Sequence, residues 1–317
     1  IAPTSQQGKE DMFLAGENHY VVNQDKLKKI PGKPIAYWIS KKLLDLFEKD
    51  SISTQSKACV GMRTGDNEHF LRVWFEVSQE TSKYNAVSAK DIVEKKVKWV
   101  PYNKGGEYRK WYGNQEYVVN WENDGNEIKE NTRRVYPELG DNLSWKISNE
   151  PLYFTEHLCW TDITTKGLSF RYFPNGYIFD ASVNVVFPKN VSFTSLLTFL
   201  NCKLVNTLAQ LLNPTLHFKL VNYNSLPATI TKVDLTDCIG QECVDLSRKD
   251  WDSFETSWDF QKHPLLRSIS TISEAFTEWQ TECDDRFHRL KANEEELNRI
   301  FIDIYGLQDE LTPEVAD

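Results

Sequence analysis

The chain lacks any long apolar run. Nothing in its 317 residues approaches the ~18–20 consecutive apolar positions that span a bilayer, which excludes an integral helical membrane protein and leaves no membrane partner to expect. It is also poor in cysteine. The six residues Cys59, Cys159, Cys202, Cys238, Cys243 and Cys283 include no C-x-x-C pair, and Cys238 and Cys243 are isolated from histidine. Neither a zinc pattern nor a disulfide-stapled secreted scaffold is written here. The thiols read as reduced and mostly buried, in a cytoplasmic protein. The opening Ile1-Ala2-Pro3-Thr4-Ser5 has no initiator Met and no basic-then-apolar signal-peptide shape, and it reads as the continuation of something longer.

What is present is an ordinary globular composition. Hydrophobic residues make up 40% and charged residues 26%, which excludes a disordered chain, and the length suggests about two domains. The formal net charge of −9 is unevenly spread. Residues 250–317 hold 17 acidic and 6 basic side chains, whereas residues 1–249 hold 29 acidic and 31 basic. Acidity therefore belongs to the C-terminal tail, and the low overall charge is no argument against a nucleic-acid partner for the rest. Residues 83–110 carry eight basic and three acidic side chains, a local stripe able to track phosphates.

Along the chain, residues 1–30 read as a partly extended lead-in, followed by a short amphipathic helix through Leu43, Leu44, Leu46 and Phe47. Short β-like runs follow, at residues 70–77, 117–121 and 179–187, separated by Gly- or Asn-bearing turns. Ser192 is placed to cap a helix whose apolar residues recur from Phe193 to Leu211, with Asn213-Pro214 as its stop. Residues 228–265 read as irregular. From Ile269 to Ile304 an apolar residue recurs every 3 or 4 positions, except where Glu294 takes an apolar slot. That predicts one long amphipathic helix, a strut with Glu294-Glu295-Glu296 on its wet face. The predicted architecture is α+β: an irregular mixed or antiparallel sheet domain flanked by helices, with a long C-terminal helical strut.

Several segments resemble a known family. Gly61-Met62-Arg63-Thr64-Gly65-Asp66-Asn67-Glu68-His69-Phe70-Leu71 resembles the opening of target recognition domains in adenine-specific DNA methyltransferases. Tyr102-Asn103-Lys104-Gly105-Gly106-Glu107-Tyr108-Arg109-Lys110-Trp111-Tyr112-Gly113 and Val119-Asn120-Trp121-Glu122-Asn123-Asp124-Gly125 resemble the phage-growth-limitation type of bacterial BREX defence systems. So do Trp160-Thr161-Asp162-Ile163-Thr164, residues 211–218 and the close of the last helix, Phe301 to Leu307. The resemblance covers residues 34–311. It implies residues 1–50 as a lead-in and connecting helix from a methyltransferase core, 51–265 as a DNA target recognition domain, and 266–317 as a long helical spacer.

The resemblance also implies chemistry that this chain does not carry. N6-adenine methylation uses an Asn/Asp-Pro-Pro-aromatic loop around a flipped base and a Gly-rich turn for S-adenosylmethionine. Neither occurs here: in Asn213-Pro214-Thr215-Leu216 the second Pro and the aromatic are missing. No catalytic residue, metal ligand or cofactor is therefore expected in this segment, and S-adenosylmethionine is implied only for the parent enzyme. The expected partners are double-stranded DNA and the N-terminal methyltransferase core of the same parent chain. Candidate DNA contacts are Arg63, Thr64 and Asn67 in the first turn, and Lys104, Gly105, Gly106, Arg109 and Lys110 in the basic stripe. Further candidates are Thr164, Thr165, Arg171 and Tyr172 in a second loop, and Lys219 beyond the helix stop. The Thr64-Gly65-Asp66-Asn67 side chains have an alternative role, capping their own turn. A second reading of the whole is a protein–protein module, the acidic tail docking another BREX protein or a phage inhibitor. A nuclease is disfavoured, because no convincing cluster of metal-binding carboxylates is present.

Overall fold

The computed structural model describes residues 5–17, 21, 23–163, 165–228, 230 and 234–316. Its strands are β1 (Ser56–Val60), β2 (Leu71–Val73), β3 (Trp99–Asn103), β4 (Tyr117–Asn120), β5 (His157–Thr161), β6 (Phe170–Phe173), β7 (Ile178–Phe179) and β8 (Val183–Pro188). Its helices are α1 (Gln6–Leu14), α2 (Gln24–Leu27), α3 (Lys41–Leu46), α4 (Asn67–Phe70), α5 (Ala89–Glu94) and α6 (Glu122–Val135), then α7 (Phe193–Asn201), α8 (Lys203–Leu212), α9 (Leu220–Tyr223), α10 (Asp234–Trp251) and α11 (Ile272–Tyr305). The fold is α+β.

Two four-stranded sheets form, in the orders β1-β8-β5-β6 and β2-β4-β3-β7. The first is antiparallel throughout, and the second is antiparallel except where β3 runs parallel to β7. The first sheet is buried on both faces, which follows from its near-continuous apolar strands. Its period-two alternation divides it between two cores. Leu158, Trp160, Phe170 and Val186 face the helical core, where α7, α8, α10 and the end of α11 contribute Leu197, Leu208, Val244 and Phe301. Cys159, Phe173, Val183 and Val185 face the second sheet, meeting Val100, Tyr102, Val119 and Phe179. The first sheet is thus the middle layer.

Several local expectations are corrected. The lead-in is helical at α1, where Ser5 Oγ accepts from Gly8 N at 3.0 Å, although that helix buries nothing. The helix after Ser192 is broken in two, because Cys202 is extended at ψ 158° and ends α7 before α8 begins. Ser192 does cap α7, its Oγ accepting from Ser195 N at 2.9 Å. The 70–77 run yields only the three-residue β2, framed by α4 and a 3-10 turn at Trp74–Glu76. The segment read as irregular contains α10, 18 residues long. Finally, Glu294 is not on a wet face: its side chain is only 11% exposed.

Candidate nucleic-acid interface

One end of both sheets gathers loops from distant parts of the chain. β1, β3, β5 and β7 all end there and β8 starts there, because β3 is parallel to β7 while β8 is antiparallel to both β1 and β5. A bridge between Met62 and Asp180 ties the two sheets together at this edge. The bridge explains the first glycine of the 61–71 motif: a Cβ on Gly61 would lie 1.8 Å from the Phe179 carbonyl oxygen. The rest of that motif builds a turn. Gly65 has φ +75°, Thr64 Oγ1 donates to Asn67 Oδ1 at 2.5 Å, and Asp66 Oδ1 caps α4 by accepting from His69 N at 3.0 Å. Thr64 is buried and turned to its own loop, whereas Arg63 and Asn67 are exposed. The Arg63 guanidinium has no hydrogen-bond or ion-pair partner among the described residues.

Lys104 stands across from that turn. Its Nζ lies 3.0 Å from Asp180 Oδ2, which also accepts from Tyr102 Oη at 2.8 Å, while Asp180 Oδ1 accepts from Ser182 N at 2.7 Å. Burial, then the Asp180 charge, pushes the Tyr102 phenol well above its ordinary range, so it stays a neutral donor. Arg63, Thr64, Asn67, Lys104, Asp180 and Ser182 line one open cavity of about 390 Å³. Asp180 and Ser182 carried no motif; their only signal was to be polar positions inside the β-like run at 179–187.

Gly105 and Gly106 have φ +85° and +130°, and each is close-packed: Cβ atoms would lie 2.9 Å from Val183 Cγ1 and from Asn114 Cγ, respectively. The Gly105 N–H donates to Asn103 Oδ1 at 3.3 Å, so this turn is held from inside. Beside it, Thr161 Oγ1 donates to the Gly106 carbonyl at 3.2 Å. Beyond Thr161 the chain meets the segment after α8 through a bridge between Ile163 and His217. Thr165 and Lys219 are exposed on these joined loops, while Thr164 lies outside the described residues.

The basic stripe does not form one face. Of its eight cations only Lys96 has no acidic partner among the described residues. Lys83 and Lys95 pair with Asp91, Lys90 with Glu94, Lys98 with Glu122, Lys104 with Asp180, Arg109 with Asp250 and Lys110 with Glu294. Arg109 and Lys110 turn away from Lys104 and toward α10 and α11. The Arg109 guanidinium sits 5.1 Å from the Trp251 ring centroid. Lys110 Nζ is 2.7 Å from Glu294 Oε2, and Trp111 Nε1 donates to Glu294 Oε1 at 2.6 Å. Burial pulls the Lys110 ammonium down, but Glu294 more than offsets it and holds it above the usual lysine range.

Arg171 and Tyr172 are likewise not on a loop; both belong to β6. Arg171 is 0% exposed, donating through Nη1 to the Arg109 carbonyl at 3.2 Å and through Nη2 to Thr161 Oγ1 at 2.9 Å. It fastens the 109–111 segment to the sheet. Among the described residues, no group of three or more His, Cys, Asp and Glu could hold a metal ion, and no helix is long and apolar enough to cross a membrane.

No protein-family model matches the chain. It is 40% identical over 329 aligned positions to the adenine-specific methyltransferase PglX of Lacticaseibacillus casei (strain Zhang), across 99% of this chain and 27% of that protein. To the adenine-specific methyltransferase BrxX of Escherichia coli O9:H4 (strain HS) it is 34% identical over 294 positions, across 91% of this chain and 22% of that protein. These matches bear out the resemblance carried by the motifs. The chain spans about a quarter of the length of these curated relatives. Among solved structures it is similar to the Type IIL restriction-modification enzyme MmeI in complex with DNA, with a TM-score of 0.52 over 83% of this chain and 34% of that one. At 12% identity that likeness is one of fold.

Proposed function

We propose that this chain is the double-stranded DNA recognition part of an N6-adenine DNA methyltransferase in a cytoplasmic BREX anti-phage system, and that catalysis belongs to another part of the parent enzyme. The observation that carries the reading is the loop edge. Arg63, an unpaired exposed cation, shares a cavity with Lys104 and the outward-facing Asn67. Recognition needs cations that hold phosphates and side chains that reach base edges. Arg63 and Lys104 serve the first task. Asn67 serves the second through its amide N–H₂ alone, because its Oδ1 already accepts from Thr64 Oγ1 at 2.5 Å. Thr165 and Lys219 extend the contact along the joined loops. S-adenosylmethionine supplies the methyl group in the parent. The matches to PglX and BrxX, and the likeness in fold to an enzyme solved with DNA, support this reading.

The test is a salt titration of duplex binding. Removing one phosphate-binding cation should flatten the slope of log K against log salt by about 0.9. Arg63→Ala and Lys104→Ala should each weaken binding of every duplex and flatten that slope. Arg109→Ala, facing the helices, should leave it unchanged. An unaltered slope in the first two variants refutes the assignment.

A second reading has its own observation. The first half of α11 leaves Ile272 77%, Phe276 51% and Phe287 48% exposed among Glu274, Glu278, Asp284 and Asp285. An acidic helix with apolar residues in water suits a protein partner better than a phosphate backbone.

A further inference from the structure

The loop edge continues past Arg63. Across it, the Asp180 N–H donates to the Asn103 carbonyl at 2.9 Å, the Met62 N–H to the Phe179 carbonyl at 2.9 Å and the Arg63 N–H to the Lys146 carbonyl at 2.8 Å. Residues 103–104, 179–181, 61–63 and 145–146 thus run side by side, about 5 Å apart per hydrogen-bonded step. Lys104 and Arg63 stand in that row, and its outer member carries Trp145, 77% exposed. Among the described residues this indole has no hydrogen-bond, cation or ring partner.

The turn that presents it is fixed. Trp145 ends a 3-10 turn, Leu143–Trp145, in which Asn142 Oδ1 accepts from Ser144 N at 3.2 Å and from Ser144 Oγ at 2.7 Å. Leu143 and Ile147, four positions apart, are buried in the core against the second sheet, so the residue between them is driven outward. Asn149 Nδ2 donates to the Val60 carbonyl at 2.8 Å and ties the turn to the end of β1. What the turn offers is an aromatic face rather than a free cation, since Lys146 Nζ lies over the Tyr136 ring, 3.8 Å from its centroid, and Asp141 is exposed nearby.

We propose that Trp145 is a DNA contact of a different kind from the cations: its indole stacks on a base face at an opened step, at the flank of the duplex that Arg63 and Lys104 hold. This inference rests on the reading of the edge as a duplex interface. An apolar side chain presented beside a phosphate-binding cation can enter a base step, and a base supplies the planar partner that the indole lacks in this chain.

Duplex titration of the 317-residue chain is the test. Trp145→Ala should weaken binding of a mixed-sequence duplex roughly tenfold and leave the salt slope unchanged, because stacking releases no counterions. Trp145→Phe keeps a flat ring and should recover most of the affinity, whereas Trp145→Leu should not. Duplex should also quench less of the tryptophan emission in Trp145→Phe than in the wild-type chain. Thermal melting verifies that each variant folds, as expected for a side chain standing in water. Wild-type affinity in Trp145→Ala overturns the proposal, as does undiminished quenching in Trp145→Phe. So does a loss that comes with a flattened slope, or one that phenylalanine recovers no better than leucine. The cation assignment fails separately, on an unaltered slope in Arg63→Ala and Lys104→Ala, and absence of any duplex binding by the wild-type chain overturns both.

Discussion

His157 serves as a flat, neutral packing group. It is fully buried and lies 5.4 Å from the Phe173 ring at an interplanar angle of 12°. A carbonyl can only accept, so Nδ1 carries the proton and donates to the Thr155 oxygen at 2.9 Å, while Nε2 accepts from Asn103 Nδ2 at 3.1 Å. Burial pushes its pKa down to about 4. The unfolded chain therefore takes up this proton near pH 6.5, where the folded one refuses it. The stability contributed is complete above pH 6.5 and is lost as pH falls toward 4, by roughly 3 kcal/mol at ~1.4 kcal/mol per unit. His157→Gln, which can still accept from Asn103, should flatten that acid limb in urea midpoints measured between pH 7 and 4.5. No local pattern reveals this role, because it depends on neighbours 16 to 54 residues away, Phe173 and Asn103.

The contrast between α7 and α10 shows when periodicity can be read. α7 buries Leu196, Leu197, Phe199 and Leu200 and is legible at once. α10 buries Thr236, Gly240, Cys243, Val244, Ser247 and Trp251, with the same helical spacing but mostly in small or polar residues. Close approach is the physical reason. A Cβ on Gly240 would lie 2.3 Å from Thr198 Cγ2 and 2.8 Å from Thr194 Cγ2, so α10 rests directly on α7. Alanine is the better helix former by ~1 kcal/mol, yet overpacking costs about 1–3 kcal/mol. Gly240→Ala should lower stability in chemical denaturation, contrary to its helix propensity. The long α11 was legible for the opposite reason, since its apolar residues are large.

Across the whole molecule, charge was the least legible property. The residues 83–110 stripe looked cationic because its partners lie elsewhere: Lys104 and Asp180 are 76 positions apart, Arg109 and Asp250 are 141, and Lys110 and Glu294 are 184. The apolar slot that Glu294 occupies in the α11 pattern was the visible trace of the last pair. With side chains 18% and 11% exposed, that pair joins the segment after β3 to α11. Glu294→Ala leaves Lys110 without its counter-charge and Trp111 Nε1 without its acceptor. The loss should be about 3–5 kcal/mol in urea unfolding, far above that of an exposed pair such as Lys90 and Glu94.

The loop edge draws its side chains from the ends of separate strands, each anchored in a buried sheet. These loops also hold one another, through Lys104 to Asp180, Ser182 to the Lys104 carbonyl and Thr161 to the Gly106 carbonyl, so a change in one is passed to its neighbours. The edge therefore adjusts as a unit, on a frame that does not have to be rebuilt.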